Sequence, residues 1–391
     1  MNPTKIILKP GRARPFWHGH PWVFSEAIAR LEGAAVAGDQ VSLCDDKSLE
    51  LGRGLYNPDS QIRVRLLAKP GVDLDGPSFW RTKLQEAISL RQRLGLPSQE
   101  TSAYRLINSE GDGLSGLTVD VFGEVFSVQC TSVGVSRRAA MIFDLLQDLL
   151  SPRAILEMSS THQELEGFSV IPGVRRGALP GEEWQIKENG VSYVVSPLSS
   201  QKTGFYCDQR ENRARVASLC NGKKILDTYC FSGGFALNAL SQGARSATLV
   251  DASGKALALA AKNLAANRLQ AELIEQDALY FLERCQESFG VVVLDPPKFA
   301  KRAKDKLNAL SGYKKLNAAG LRLVEPGGLL VSCSCSGLIT EDEFIRALSE
   351  AAYEAKRTIS LVSVSGAGPD HPIRLPCIES RYLKCVIARV S

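Results

Sequence analysis

The sequence lacks paired cysteines, long apolar runs and a secretory leader, and each absence argues against one class of protein. Its ten cysteines include no C-x-x-C pair, and only Cys333 and Cys335 lie close together. This argues against a disulfide framework or a structural zinc site and fits a reducing cytoplasm. No segment is long and apolar enough to span a membrane, and MNPTKIILKPG lacks the apolar core of a signal peptide. We therefore expect a cytoplasmic protein with no metal site and no membrane contact.

Two phosphate-binding motifs are also absent. The turn Ser232-Gly233-Gly234 does not form G-x-G-x-x-G, so a dinucleotide cofactor fits poorly, and no G-K-[ST] follows it as in a P-loop.

The chain has 391 residues, enough for two or three domains. Its formal charge of +5 permits nucleic-acid binding without requiring it.

The stretch from 224 to 335 carries the most regular pattern in the chain. Short apolar runs, each followed by helix-like sequence, repeat through KILDTYCFSGGFAL, TLVDAS, EQDAL, VVVLDPPKFA and LLVSCSCSG. This repeat predicts an α/β fold with an open parallel sheet and helices on both faces. Polar residues end the runs: Asp227, Asp251, Asp277, Asp295 and Cys335. Because the carboxyl ends of parallel strands line the ligand crevice, these residues should converge on one site.

Two smaller regions precede this sheet. Residues 1–70 are predicted to be β-rich, and the alternation in QIRVRLLA places Arg63 and Arg65 on one face of a strand. That face is either an RNA-binding surface or simply solvated. Residues 75–190 predict an α+β middle domain without evident chemistry, and residues 196–391 hold the parallel sheet.

Acidic residues at successive strand ends favour S-adenosylmethionine as the cofactor. This molecule has no phosphate, so Asp227 suits its methionine end, Asp251 its ribose hydroxyls and Asp277 its adenine amino group. NAD would explain only Asp251, although a single aspartate at a strand end is usually just a helix N-cap. The predicted cofactor-binding residues are Gln209, Asp227, Tyr229, Phe231, Ser232, Gly233, Gly234, Asp251, Asp277 and Asp295.

The motif Asp295-Pro296-Pro297-Lys298 indicates methylation of a planar nitrogen heterocycle. The aspartate and nearby backbone groups can hydrogen-bond the edge of a base, and the prolines stiffen the loop; the alternative is an ordinary proline-rich turn. The basic run KFAKRAKDK begins at Lys298 and suits an RNA backbone, unless it is solvated surface. The predicted RNA contacts are Pro296, Pro297, Lys298, Lys301, Arg302 and Lys304.

Cys335 is a candidate nucleophile at the end of the fifth strand. C5 of a pyrimidine attacks a methyl sulfonium poorly, but addition of a thiolate at C6 activates it, which splits one difficult step into easier ones. Cys333 and Cys335 should share one face of that strand. The alternative is that both are buried small hydrophobic residues.

Motifs across nearly the whole chain resemble the bacterial 23S rRNA large-subunit methyltransferase I family, which makes 5-methylcytosine. They are LKPGRARPFWHGHPWVFS, RLINSEGDGLSGLTVDVFG, TGFYCDQREN, LDTYCFSGGFAL, LDPPKF, SCSGL and DHP. The resemblance implies an N-terminal PUA domain, a small α+β middle domain, a class I (Rossmann-like) methyltransferase domain and, in some members, homodimers. It also implies that the cysteine of SCSG, here Cys335, is the nucleophile. Related enzymes carry a second cysteine where Lys298 stands, so another base must act in product release.

These observations predict S-adenosylmethionine-dependent methylation of C5 of a cytosine in 23S rRNA. Cys335 would attack C6, and Asp295 would hold the base and stabilise the adduct. One alternative is an rRNA guanine N-methyltransferase, for which D-P-P-K suffices without a cysteine. Another is an RNA-binding ribosome assembly factor with a vestigial cofactor pocket.

Overall fold

The computed structural model describes residues 4–198, 204–300 and 302–391. The chain separates into two compact units. One holds the residues up to Ile186 together with Val195–Cys207 and Pro369–Ser380, and the other holds Lys187–Val194, Asp208–Gly368 and Arg381–Ser391. The domain boundaries given above stay predictions, because compactness alone does not define independently folding domains.

The first unit begins with a six-stranded sheet in the order β2-β6-β5-β4-β1-β3. Its core includes Ile6, Val41 and Val64, and β1 and β4 are its parallel pair. The elements are β1 (Lys5–Leu8), α1 (Arg14–Trp17), β2 (Trp22–Phe24), β3 (Ile28–Glu32), β4 (Gln40–Cys44), β5 (Glu50–Tyr56) and β6 (Ile62–Ala68).

Neither interpretation of the basic strand face is right for Arg65. Its guanidinium lies 3.0 Å from the Glu166 carboxylate and 3.6 Å from that of Glu110, and all three side chains are largely buried. Arg65 is therefore part of an internal ion-pair cluster. Sequence alternation could not reveal this, because both acids come from later parts of the chain.

The rest of the first unit contains a five-stranded sheet in the order β11-β10-β9-β8-β7. Apolar side chains of α2 and α4, such as Trp80 and Ile142, share a core with Val119 and Val128 of the sheet. The elements are α2 (Pro77–Arg93), β7 (Ala103–Asn108), β8 (Leu117–Phe122), β9 (Val125–Cys130), α3 (Val133–Ser136), α4 (Ala139–Leu150), β10 (Ala154–Glu157), α5 (Thr161–Leu165) and β11 (Gly173–Gly177). The strands β12 (Trp184–Glu188) and β13 (Val191–Val195) pair as a separate two-stranded sheet, of which Lys187–Val194 belong to the second unit.

The second unit is built on a seven-stranded sheet in the order β16-β15-β14-β17-β18-β20-β19. The elements are α6 (Arg210–Ala217), β14 (Lys224–Thr228), α7 (Gly234–Ser241), β15 (Ser246–Asp251), α8 (Gly254–Ala266), β16 (Glu272–Glu275), α9 (Ala278–Arg284), β17 (Phe289–Leu294), α10 (Lys306–Arg322), β18 (Val324–Ser334), α11 (Glu341–Glu354), β19 (Ile359–Ser365) and β20 (Lys384–Val390). The first five strands are parallel, and β20 runs antiparallel to β18 and β19. The predicted open parallel sheet with helices is confirmed, and β19 and β20 form an antiparallel pair at one edge.

Both faces of this sheet are buried, as the continuous apolar runs predicted. Val291 and Val293 of β17 pack into one core with Phe235 of α7. The alternate residues Val292 and Leu294 pack on the other face with helices that include α10 and α11. Among the described residues, none of the helices combines the length and apolar character needed to cross a bilayer.

A buried ion pair fixes the start of this unit. One guanidinium nitrogen of Arg213 lies 2.7 and 2.8 Å from the two carboxylate oxygens of Glu188. Burial disfavours the Arg213 charge, but the Glu188 carboxylate outweighs this and raises the pKa of Arg213. A Cβ on Gly234 would lie 2.6 Å from the Arg213 Nε. The second glycine of the S-G-G turn is thus required by packing.

We predict that Arg213→Met lowers the free energy of unfolding by about 3–5 kcal/mol, because the Glu188 carboxylate loses its buried cation. The double change Arg213→Met with Glu188→Gln should recover most of that loss, since the buried charge is removed as well. Thermal and urea-induced unfolding of the full chain measure both. An Arg213→Met variant that is as stable as the wild type would contradict this prediction.

Candidate active site

The parallel strands bring the predicted site residues to one edge of the sheet. Asp251 is the last residue of β15, Asp295 follows β17 directly, and Cys335 follows β18 directly. A surface groove of about 530 Å³ lies at the opposite, amino ends of the strands, beside Lys224 and Phe289, and is lined by none of the predicted site residues.

The loop after β14 has an unusual backbone. Tyr229 and Phe231 adopt positive φ angles of 55° and 48°, and Gly233 has a φ of 80°. The Phe231 N–H donates to the Asp251 Oδ2 at 2.9 Å, and the Asn263 side chain donates to the Ser232 carbonyl at 2.9 Å. Strained non-glycine residues that are held by tertiary hydrogen bonds are typical of ligand-binding loops.

Asp227 is a buried carboxyl group behind this loop. Its Oδ2 accepts the Ala236 N–H at 3.0 Å. Burial raises the pKa of Asp227 to about 7; the hydrogen bond opposes the shift, the Asp295 charge adds to it and the Arg213 charge opposes it. A cationic ligand would therefore favour the ionised form of Asp227. S-adenosylmethionine, with its sulfonium and amino groups, meets that requirement.

Asp251 and Asp277 lie near Tyr229. Burial raises the pKa of Tyr229 to about 12, and the charges of Asp277 and Asp251 add to the shift. Asp277 also caps α9 by accepting the Tyr280 N–H at 2.9 Å, and Asp251 accepts the Ser253 N–H at 2.9 Å. The helix-cap interpretation is correct for Asp277. Cofactor binding by both carboxylates stays a prediction, since an aspartate has acceptor capacity beyond one such bond.

Gln209 contacts Asp295, and its predicted contact with the cofactor stays a prediction. Its amide nitrogen donates to the Asp295 Oδ2 at 3.1 Å. Its amide oxygen accepts from Asn212 at 2.6 Å, and the Asn212 oxygen accepts from the Ser365 hydroxyl at 2.7 Å. This chain of side chains fixes the orientation of the Asp295 carboxylate.

The two neighbouring cysteines have different environments. Cys333 is fully buried and lies opposite Cys385 of β20. The hydrogen bond with Cys385 raises the pKa of the Cys333 thiol well above its usual value, and burial raises it further. Cys335 lies one residue beyond the strand and is only half-buried. All ten cysteines lie in the described ranges, and none forms a disulfide.

The D-P-P-K loop has a buried and an exposed part. Pro296 is buried, whereas Pro297 and Lys298 are exposed. Arg302 and Lys304 are exposed as well, while Lys306 pairs with Glu343 at 2.7 Å. The predicted contact Lys301 lies outside the described residues. Exposed cations next to Asp295 suit the predicted RNA contact.

Comparison with known proteins identifies relatives along the full chain. "Ribosomal RNA large subunit methyltransferase I" of Alteromonas mediterranea is 38% identical over 396 residues, which cover 99% of both chains. The protein of that name from Klebsiella pneumoniae subsp. pneumoniae is 36% identical over 397 residues, 99% of this chain and 98% of the relative. The chain belongs to the ribosomal RNA large subunit methyltransferase I family. The predicted family is therefore confirmed.

Family models and solved structures agree with this assignment. Residues 6–69 match a PUA-like domain model, and residues 212–341 match the model called conserved hypothetical protein 95. A structure from Streptococcus mutans, described as a candidate SAM-dependent methyltransferase, has a TM-score of 0.85 at 21% identity and covers 98% of this chain and 99% of its own. A candidate methyltransferase complexed with SAH has a TM-score of 0.86 at the same identity, with the same coverage of both chains. The predicted fold class is confirmed.

The sequence interpretation missed two residues behind the site. They are Asn212 and Lys384, neither of which was predicted to have a functional role. Lys384 is 4% exposed. The available signal for Lys384 was its position directly before the apolar run CVIARV. A lysine at such a position is predicted to have a partner, because lysine is almost never fully buried without one.

We predict that cofactor affinity rises with pH through the titration of Asp227. Below about pH 7 this carboxyl must lose a proton before it can pair with the cofactor's cationic end, so affinity should increase by up to about tenfold per pH unit. Calorimetry of S-adenosylmethionine binding between about pH 5.5 and 7 measures this change. The amino group of the cofactor titrates above that range and does not contribute. Asp227→Asn, which keeps an acceptor for the Ala236 N–H, should bind more weakly and without this pH dependence. If the affinity of the wild type does not change over this pH range, the cationic end of the cofactor does not pair with Asp227.

Proposed function

We propose that this protein methylates C5 of a cytosine in 23S rRNA through a covalent Cys335–C6 adduct. As a member of its family it is an rRNA methyltransferase, and S-adenosylmethionine is its methyl donor. The observation that carries the finer proposal is the position of Cys335: one residue past β18, half-buried, at the sheet edge that also holds Asp295.

The residues around the loop after β14 would hold the cofactor. Asp227 would pair with its cationic methionine end, the Tyr229–Gly234 turn would bring backbone close to it, and Asp251 would accept from the ribose. Asp277 and Tyr229 would lie at the adenine. When bound, the cofactor supplies an electrophilic methyl group on a sulfonium.

The Cys335 thiolate then activates the base. Its sulfur adds to C6, and the electrons of the C5–C6 double bond move to C5, which becomes the nucleophile that accepts the methyl group. The C5 proton leaves to a base, its bonding electrons restore the double bond, and the C6–S bond breaks to return the thiolate. Asp295, held by Gln209, would accept from the N4 amino group and keep C6 at the sulfur.

The RNA must present an unstacked base. C5 and C6 lie inside a stacked helix, so the cytosine must be single-stranded or flipped out. The exposed cations after Pro297 would neutralise flanking phosphates, and the PUA-like domain matched at residues 6–69 would enlarge the RNA-binding surface. Homodimer formation and a cytoplasmic location belong to this proposal as well.

We predict that Cys335→Ala abolishes rRNA methylation but leaves S-adenosylmethionine binding near that of the wild type. RNA carrying 5-fluorocytosine at the target lacks the proton that must leave, so it should trap a wild-type adduct that survives a denaturing gel. Cys335→Ala should form no adduct. Cys333→Ala is the matched control: it should retain methylation and trapping, because Cys333 is buried against Cys385.

Three results would redirect the assignment. Methylation by Cys335→Ala would favour the guanine N-methyltransferase, for which Asp295 and the prolines suffice. An inactive Cys333→Ala with active Cys335→Ala would keep the chemistry and move it to the other thiol. Cofactor binding without any methylation of rRNA by the wild type would favour an assembly factor. Nucleoside mass spectrometry of rRNA from cells with and without the gene distinguishes these products.

We predict that reversing Lys298, Arg302 and Lys304 to glutamate weakens RNA binding and flattens its dependence on salt. If each cation neutralises one phosphate of a single strand, the slope of log affinity against log salt should fall by about 2. The control reverses Arg245, Arg322 and Lys356, which are equally exposed but lie near the amino ends of the strands. Equal effects of the two triple variants would indicate nonspecific electrostatics.

A further inference from the structure

Lys384 is a buried cation behind the candidate nucleophile. It is the first residue of β20 and lies opposite Ser334, the last residue of β18. Its ammonium donates to the carbonyl of Ser336 at 2.5 Å, of Ile339 at 2.7 Å and of Tyr382 at 2.9 Å. Two of these carbonyls belong to the loop that starts at Cys335. Lys384 therefore fixes the backbone that carries the cysteine.

The hydrogen bonds of Lys384 require its charged form. An ammonium has three N–H donors, whereas a neutral amine has two and a lone pair, so three carbonyl acceptors match only the ammonium. Burial lowers the pKa of Lys384 to about 8, and a charge on Cys335 opposes the shift. Lys384 is thus mostly charged at neutral pH. Its three donors are engaged, which makes it unsuitable as the base for the C5 proton.

A charge in this position is costly unless it is compensated. Among the described residues, no carboxylate lies within ion-pair distance of the Lys384 ammonium, although leaving a buried cation without one is unfavourable. The charge of Glu341 raises the pKa of Lys384, but the Glu341 carboxylate pairs with Arg381. The charges that act on the Lys384 ammonium are those of Cys335, Arg381, Glu341 and Lys298. The Cys335 sulfur is the group that a fixed cation here would stabilise as an anion.

We propose that Lys384 is the positioning residue of Cys335: its ammonium holds the 335–339 loop and supplies the fixed positive charge that keeps the sulfur ionised for attack. This inference rests on the proposed cytosine-C5 mechanism. The thiol proton leaves to solvent, since Lys384 is already an ammonium and cannot accept it. The sulfur then carries the electron pair that forms the bond to C6. A cation next to a cysteine is a known means of raising its thiolate fraction.

Alkylation of the thiol tests this inference without RNA. Iodoacetamide reacts with the thiolate, and mass spectrometry measures Cys335 and Cys285 in the same sample. Cys285 is also half-buried, but burial raises the pKa of its thiol, and its charged neighbours are the acids Glu287 and Glu272. In the wild type, Cys335 should be alkylated at a lower pH than Cys285. Equal pH midpoints would overturn the proposal, and this comparison needs no variant.

Variants at Lys384 separate charge from simple support of the loop. Lys384→Met should slow alkylation of Cys335 at pH 7 about tenfold and raise its pH midpoint by about one unit, with Cys285 unchanged. Lys384→Arg keeps the charge and should keep the low midpoint. A Met variant that reacts more slowly at every pH with an unchanged midpoint would show loop support only, and would overturn the charge assignment.

Methylation assays keep this inference distinct from the proposed function. With saturating RNA, Lys384→Met should lose kcat at neutral pH and regain it as the pH rises, while KM for RNA stays constant. Methylation by Cys335→Ala would sink the C5 mechanism whatever the alkylation result. Conversely, an inactive Cys335→Ala together with a Lys384→Met enzyme whose pH profile matches the wild type would retain the mechanism and reject Lys384.

Discussion

The parallel pairing of β14, β15, β17 and β18 is the constraint on which the site depends. The register places Thr228 opposite both Val250 and Leu294, and Leu294 opposite Ser332. The chain leaves these strands at nearly the same level, so polar residues far apart in sequence must meet. A slip by one residue in any pair would turn the following side chain to the other face.

One strand, β18, extends beyond this common level, and its extension determines where the proposed nucleophile lies. β18 continues past the row that contains Leu294, because its other neighbour β20 pairs with it as far as Ser334 and Lys384. Cys335 therefore emerges beyond the level of Asp295, where a base held by that carboxylate could present C6. The same antiparallel pairing places Lys384 opposite Ser334, where its ammonium donates to carbonyls of the 335–339 loop. Strand β20 thus positions two residues of the proposed mechanism.

The sequence was sufficient for the features that local pattern controls. Apolar runs ending in aspartate located strand ends, as at Asp251, the last residue of β15. It was insufficient where a partner comes from a distant part of the chain. Gln209 contacts Asp295 across the fold, and Arg65 is enclosed by Glu110 and Glu166, so composition could indicate only that such polar residues were present. Burial of a charge depends on tertiary packing, which periodicity does not encode.

Cys333 and Cys335 are two residues apart but lie in different environments. Alternation along a strand predicts the same face for both, yet one is enclosed by a neighbouring strand and the other lies just beyond the last paired residue. The neutral thiol of Cys333 is stabilised by its hydrogen bond with the Cys385 thiol and by burial, which disfavours charge where water is excluded. Cys335, two residues later, lies beyond the end of the strand and is only half-buried. The ammonium of Lys384 donates to the carbonyl of the next residue, Ser336. The end of the β18–β20 pairing therefore separates a packing residue, Cys333, from the proposed nucleophile, Cys335.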